Sequence, residues 1–423
     1  MAKNEKICKE INLLLYNRRN KDDKRRGVGI THRVQQERVQ DIQIMIRGIK
    51  KIGEFVRKET VLSVALFLAV ISAFVVPPDS AYVDYIDFRT LAILFCLMTV
   101  VAGFSQQGIF NIVAKGMINR MGSLMAVTFV LTFMCFFFSM FITNDVSLIT
   151  FVPMTLTVLG MAGEEVLTRW MVSVITLQTI AANLGSMLTP IGNPQNLYLY
   201  GLAGISAGRF VLIMLPYTVA SAALLVIWII VCMKGKNRQL EIRLSDGDVQ
   251  VDRKLVGIYC ILFVLSLLTV ARIVPYWVTF AVVLVVVLIC QRRLLLKVDY
   301  SLIFTFVGFF VFIGNMGRID GFRIFVENVL GGHEMITSVI ASQVISNVPA
   351  AVLLSGFTDS YTDLIIGTNL GGLGTLIASM ASLISFKYVA RQDKGARGRY
   401  LAYFTFANVM FLAVLICMWE IIF

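Results

Sequence analysis

Apolar segments of membrane-crossing length alternate with short polar connections along most of the 423-residue chain. A helix rises about 1.5 Å per residue, so about 20 apolar residues bridge a hydrocarbon layer of roughly 30 Å. By that measure residues 61–77, 86–104, 210–233, 255–270, 276–290, 299–316 and 401–423 read as ordinary spans. Other stretches do not. Residues 125–160 are apolar except for Thr143-Asn144-Asp145 at their centre, and each half is short of a tilted span plus a turn. Residues 335–357 repeat this design around Ser346-Asn347-Val348-Pro349, with roughly ten apolar residues on either side, enough for half a membrane. Both read as re-entrant helical hairpins with polar tips.

The run 170–208 carries no charge and is too long for a single crossing. Gly185, Pro190, Gly192 and Pro194 fall in its middle. Proline removes a backbone donor and glycine tolerates dihedrals that other residues avoid, so the helix is expected to break there. Unwound backbone at membrane depth is tolerated only where it lines a polar cavity, which makes the break a candidate binding site. Asn369-Leu370-Gly371-Gly372-Leu373-Gly374-Thr375-Leu376-Ile377-Ala378-Ser379 aligns without a gap on residues 183–193, sharing Asn, Leu, Gly, Thr and Ile positions. Two matching broken helices predict an internal duplication, and the span at 299–316 echoes that at 86–104 but enters from the opposite face. The fold class expected is an all-α polytopic membrane protein with two inverted-topology repeats, each holding a hairpin and a broken helix.

Charge sets the topology. Basic clusters before residue 61, at Lys115 and Arg120, at residues 234–254, at Arg292-Arg293 and at 387–399 are all expected on the cytoplasmic side. Three apolar segments separate the last two, so they share a side only if 335–357 returns to its own face. The N-terminus is then cytoplasmic and the C-terminus outside, in a plasma-membrane protein. Residues 1–58 form a basic leader, 59–254 the first span with the N-terminal repeat and its inner loop, and 255–423 the connecting spans with the C-terminal repeat. From Arg33 to Lys58 apolar residues recur at helical spacing among Arg, Lys and Gln, which suits an amphipathic helix on the inner leaflet. An unstructured tail, or upstream sequence preceding a start at Met45, explains the leader equally well.

Composition narrows the function. With 57% hydrophobic and 15% charged residues, no soluble catalytic domain has room, and the net charge of +12 is explained by topology and anionic lipid rather than nucleic acid. Cys8, Cys96, Cys135, Cys232, Cys260, Cys290 and Cys417 lack metal-ligand spacing, and His32 and His333 lie outside the spans. These features speak against an enzyme and imply no resident cofactor.

The remaining chemistry lies at the tips and breaks. Freed carbonyls, with oxygens from Thr143, Asn144, Thr189, Ser346, Asn347, Thr368, Asn369 and Thr375, suit a desolvated Na⁺, while half-helix N-termini suit an anion. A lone Asn or Ser in a span is more often interhelical glue, but four matched breaks are more than packing requires. Asp145 is the sole ionisable side chain well inside a span. It could ligate Na⁺, carry a proton, be held neutral, or simply cap the second arm of its hairpin. No Lys or Arg faces the inferred cavity, so a multivalent anion would need a cation to enter with it.

The run from Gly185 to Asn196 resembles the glycine-rich Thr-Pro-Pro-Asn signature of divalent-anion/sodium symporters, and Thr143-Asn144-Asp145 and Ser346-Asn347-Val348 resemble that family's two Ser-Asn-Thr tips. The similarity extends from about Val61 to the C-terminus and places the chain among citrate transporter-like permeases of the ion transporter superfamily. The resemblance implies a homodimeric secondary transporter for a small anion, a carboxylate or an inorganic oxyanion, driven by Na⁺ or H⁺ through alternating access. It puts Asn144 with Gly192 in one cation site and Asn347 with the break near Ala378 in a second. Thr143, Asn144, Asp145, Thr189, Asn193, Asn196, Ser346, Asn347 and Thr375 would face the substrate, and Asp145 and Asn369 would join the cation set. Asp145 replaces a neutral Thr, as in relatives resembling arsenite permeases and sodium/proton antiporters, and Asn193, Gln195 and Val348-Pro349 also depart from the pattern. A competing expectation is therefore an arsenite efflux permease or Na⁺/H⁺ antiporter using Asp145.

Overall fold

The computed structural model describes residues 59–235 and 251–422, with residues 53, 56 and 239 besides. The expected leader helix, and Lys236, Arg238 and Arg243 of the basic loop, lie outside the described residues. Residues 1–63 and 64–423 form two units, and the architecture below is that of the second.

The second unit is helical throughout its described length apart from turns and loops. After α1 (Thr60–Val75), which begins in the first unit, come α2 (Ala81–Asp84), α3 (Phe88–Gln106), α4 (Ile109–Ile118), α5 (Leu124–Ile142), α6 (Asn144–Met161), α7 (Glu164–Ser186), α8 (Pro194–Ala203) and α9 (Ala207–Met233). Beyond the basic loop follow α10 (Arg253–Val270), α11 (Tyr276–Gln291), a 3₁₀ segment (Arg292–Lys297), α12 (Tyr300–Gly317), α13 (Asp320–Leu330), α14 (Glu334–Ile345), α15 (Asn347–Ser355), α16 (Tyr361–Leu370), α17 (Met380–Gln392) and α18 (Arg397–Ile422). Among the described residues, eight helices are long and apolar enough to cross a membrane. This is an all-α polytopic membrane protein.

The elements α3 to α9 recur in order as α12 to α18, down to the caps. Asp87 accepts a hydrogen bond from the Thr90 amide to start α3, and Asp299 accepts one from the Leu302 amide to start α12. Such caps satisfy orphan amides at a helix start. The periodic apolar positions Phe322, Phe325, Val326, Val329 and Leu330 build α13, the counterpart of α4, in a stretch that the span reading leaves unassigned.

The two hairpins differ in reach. The arms α14 and α15 have 12 and 9 residues, about 18 and 14 Å, whereas α5 and α6 have 19 and 18, about 28 and 27 Å. Only α14 and α15 have the half-membrane length expected of both; α5 and α6 are each long enough to cross.

Two regions of packing are distinct. The helices α3, α10 and α11 share an apolar core of Phe95, Cys96, Val100, Tyr259, Leu262, Val283 and Val287. The first half of each broken helix is buried on all sides instead: α7 from Trp170 to Ser186 against α5, α6, α17 and α18, and α16 from Leu364 to Leu370 against α8, α14 and α15. A helix buried all round needs internal partners for its polar groups. Gln178 of α7 finds them, accepting from Thr155 Oγ1 at 2.9 Å and donating to the Leu131 carbonyl at 3.3 Å.

Outside the spans, Arg318 binds Asp79 at 2.7 Å and holds its carboxyl below the usual range. The stabilisation is fully present above the ordinary carboxyl pKa and is lost as pH falls through the lowered one. Both partners are well exposed, so Asp79→Asn is expected to shift Tm by no more than a degree or so in a thermal-melt comparison.

Candidate functional site

The chain breaks where the alignment of residues 183–193 with 369–379 places the breaks. The helix stops at Ser186 and resumes at Pro194; its counterpart stops at Leu370 and resumes at Met380. The residues act differently from the sequence expectation, however. Pro194 occupies the first turn of α8, where its missing N–H costs nothing, so it starts a helix rather than breaking one. Gly185 and Gly192 do not have positive φ. A Cβ on Gly185 would lie 2.0 Å from the Phe136 carbonyl oxygen, and one on Gly192 would lie 2.0 Å from that of Ser186. They are glycine because backbone passes against backbone. Among the glycines of the two breaks, only Gly374, at φ 108°, needs the left-handed region.

Both tips turn on a single residue of positive φ, Thr143 at 71° and Ser346 at 76°. The next residue, Asn144 or Asn347, folds its side-chain oxygen back onto the following amide at 3.0 Å. A threonine of each break then latches its own hairpin: Thr189 Oγ1 donates to the Met140 carbonyl at 2.5 Å, and Thr375 Oγ1 to the Gln343 carbonyl at 3.2 Å. Met140 and Gln343 each precede their tip by three residues.

The repeats are clasped together through the breaks. Asn183 accepts from Asn144 Nδ2 and from Ser379 Oγ, each at 3.0 Å, and donates to the Gly372 carbonyl at 3.3 Å. Its counterpart Asn369 accepts from Asn193 Nδ2 at 3.3 Å and donates to Asn196 Oδ1 at 2.6 Å and to the Ile365 carbonyl at 2.8 Å. Each first half-helix thus reaches the cap of the other repeat's second half, since Asn193 and Ser379 cap α8 and α17. Asn183→Ala would leave at least two buried partners unsatisfied. At about 1–3 kcal/mol for each, a loss of roughly 3 kcal/mol is expected in a chemical-denaturation comparison with wild type.

The expected site residues therefore gather at one locus in two groups. Asn193, Asn196, Asn369, Thr189 and Thr375 are committed to protein partners. Ala378 accepts from the Asn347 amide at 3.0 Å and from Ser346 Oγ at 3.4 Å, joining the second tip to the second break, whereas Asn144 is tied to Asn183 and no hydrogen bond joins it to Gly192. Thr368 bonds the Leu364 carbonyl one turn back. Asp145 lies in the first turn of α6, half-buried, with its Oδ1 enclosed and without a hydrogen-bond partner.

Sequence reasoning missed four participants. Asn183 is the hub of the clasp, and its mirror position, Asn369, is the signal that points to it. Gln343 threads into the second break, where a Cβ on Gly374 would lie 2.3 Å from its Oε1. Gln195, fully buried, has neither amide atom bonded to protein. Arg89 comes to α8, its Nη1 being 3.6 Å from where a Cβ on Gly201 would stand, and its Nη2 is buried and unpartnered. The last lies against the far end of α8, about two turns beyond Gln195.

A polytopic helical protein with paired hairpins and breaks clasped at one locus is built like a transporter. The comparisons agree. A family described as "Citrate transporter" matches residues 45–363, three quarters of the chain, ending before the second break. The chain belongs to this family. It is 30% identical over 332 residues to the uncharacterized transporter MJ0456 of Methanocaldococcus jannaschii, covering 78% of this chain and 89% of that one. It is 28% identical over 307 residues to the inner membrane protein YbiR of Escherichia coli, covering 71% and 80%. A 121-residue stretch is 35% identical to the P protein of Mus musculus but spans only 14% of it. The chain is a multi-pass membrane transporter.

Proposed function

We propose that the protein is a secondary active transporter of a small anion, a carboxylate or an inorganic oxyanion, across the plasma membrane, coupled to Na⁺ or H⁺. The carrying observation is the reciprocal clasp of the two breaks by Asn183 and Asn369. It makes the site the seam between the repeats, so that rocking of one repeat against the other would expose the site to each side in turn. Opposite orientation of the repeats in the membrane, with the N-terminus cytoplasmic and the C-terminus outside, gives that motion its alternating access. A homodimer in lipid is the assembly that this reading takes.

Gln195 and Arg89 supply what an anion requires. The Gln195 amide offers a desolvated donor and acceptor at the start of α8, and the Arg89 guanidinium a positive charge along the same helix. The family's description makes a carboxylate the first class to try. Purified protein in proteoliposomes should accumulate a radiolabelled carboxylate or oxyanion when a Na⁺ or H⁺ gradient is imposed. Uptake indifferent to both gradients across a panel of such anions would remove the proposal.

The unpartnered Asp145 Oδ1 supports a second reading, a Na⁺/H⁺ antiporter or arsenite efflux permease in which this carboxylate carries the ion. In everted vesicles it would appear as Na⁺-dependent proton movement, or as arsenite accumulation, without any carboxylate.

A further inference from the structure

At each break, three main-chain carbonyls converge on one nitrogen. Asn196 Nδ2 lies 3.3 Å from the Ser186 oxygen, 3.5 Å from that of Met187 and 3.1 Å from that of Thr189. Gln343 Nε2 lies 3.0 Å from the Gly371 oxygen and 2.9 Å from that of Leu373, both in the break, and 3.2 Å from that of Val339, a helical carbonyl one turn back in its own arm. Carbonyls freed by unwinding and turned toward a common point make the kind of cage that a hard cation enters after shedding its water. Here an amide nitrogen fills it.

The orientation of both amides follows from their surroundings. Asn196 Oδ1 accepts from Asn369 Nδ2, and Gln343 Oε1 accepts from the Thr375 amide at 2.8 Å. A flipped side chain would set oxygen against three carbonyls and nitrogen against a donor. The two hydrogens of each NH₂ serve three acceptors, so one contact in each cage is shared. The two residues reach their cages differently: Asn196 folds back from the helix after its break, while Gln343 enters from the hairpin.

We propose that Asn196 and Gln343 are built-in substitutes for bound cations, so that the breaks keep their shape without Na⁺ and offer it no site. The partial positive charge of each amide stands where a cation would, against carbonyls of the unwound segments, and the coupling role passes to a group outside the breaks. The inference deepens the transport reading and gains its meaning from it, but it is tested on protein without substrate. Failure of transport would leave it standing.

The test compares thermal melts of the full-length protein in NaCl and in choline chloride, over a range of concentrations. The reference is Asp145→Asn, which removes the enclosed carboxylate outside the breaks while keeping both cages; it should melt at the same temperature in both salts. Asn196→Asp and Gln343→Glu replace the NH₂ by a carboxylate oxygen, turning each cage into a site that lacks only its ion. These variants should melt below wild type in choline and regain about 5 °C as Na⁺ reaches about 100 times its dissociation constant. Gln343→Met, which copies Met140 of the first repeat, should lose stability equally in both salts. A saturable rise in the Tm of Asp145→Asn with Na⁺ would overturn the proposal, as would folded carboxylate variants indifferent to Na⁺. Should neither carboxylate variant fold, the Asp145→Asn comparison decides.

Discussion

Gly185→Ala is expected to be among the most costly single-methyl changes at the described residues. The new Cβ would stand 2.0 Å from the Phe136 carbonyl oxygen and 2.7 Å from Ser139 Oγ, so α5 and α7 would have to part by more than about 1 Å. That contact runs along the buried face of α7, where Gln178, Thr179 and Asn183 hold partners on three neighbouring helices. A shift there would loosen the clasp as well as the packing. Overpacking of this kind costs about 1–3 kcal/mol, and the backbone oxygen has no rotamer by which to retreat, so the upper end is expected. The melting temperature of purified protein should fall by roughly 6 °C or more, or monodisperse protein should not be recovered. Gly257→Ala in α10, with nothing within 4 Å of its Cβ, is the control and should behave as wild type. A Gly185→Ala protein that melts with the control would mean that α5 and α7 do not approach this closely.

That residue also shows what the chain's pattern discloses. The location of both breaks was legible, because Asn183 to Asn193 and Asn369 to Ser379 repeat one another and a charge-free run of that length cannot remain one span. The reason for the glycines was not. Composition cannot distinguish a glycine chosen for its dihedrals, such as Gly374, from one chosen to let two backbones meet, such as Gly185. The proline at 194 misleads in the same way, since its effect depends on whether it falls inside a helix or at its first turn.

Gln343 was hidden for another reason: inside an apolar hairpin arm it breaks no periodicity, and its function depends on a segment some thirty residues away. Counting three residues back from each tip finds it opposite Met140, and that asymmetry is the one sequence signal it leaves. Arg89 falls within the span 86–104 and was given no role there; only folding brings it to α8. The polar tips were the clearest features, since an Asn amid apolar residues has few uses in a membrane.

Asp145→Asn should separate chemistry from architecture. The substitution keeps size and shape, and it leaves intact the bond from the Asp145 amide to Asn144 Oδ1 that shapes the tip. Little change in melting temperature is therefore expected. What it removes is an ionisable oxygen, enclosed and without a protein partner. A carboxylate so placed inside a span favours the arrival of a proton or a metal cation. If Asp145 carries the coupling ion, ion-driven uptake in proteoliposomes should fall on the order of 100-fold, the scale of losing a dedicated proton carrier, and the residual rate should lose its pH dependence. Downhill exchange of labelled for unlabelled substrate, which needs no net ion movement, should persist in part. The structure makes Thr143, not Asp145, the N-cap of α6, so Asp145 is no cap as the sequence allowed; were it only a first-turn charge, uptake and its pH profile would match wild type, and the coupling ion would have to be sought elsewhere.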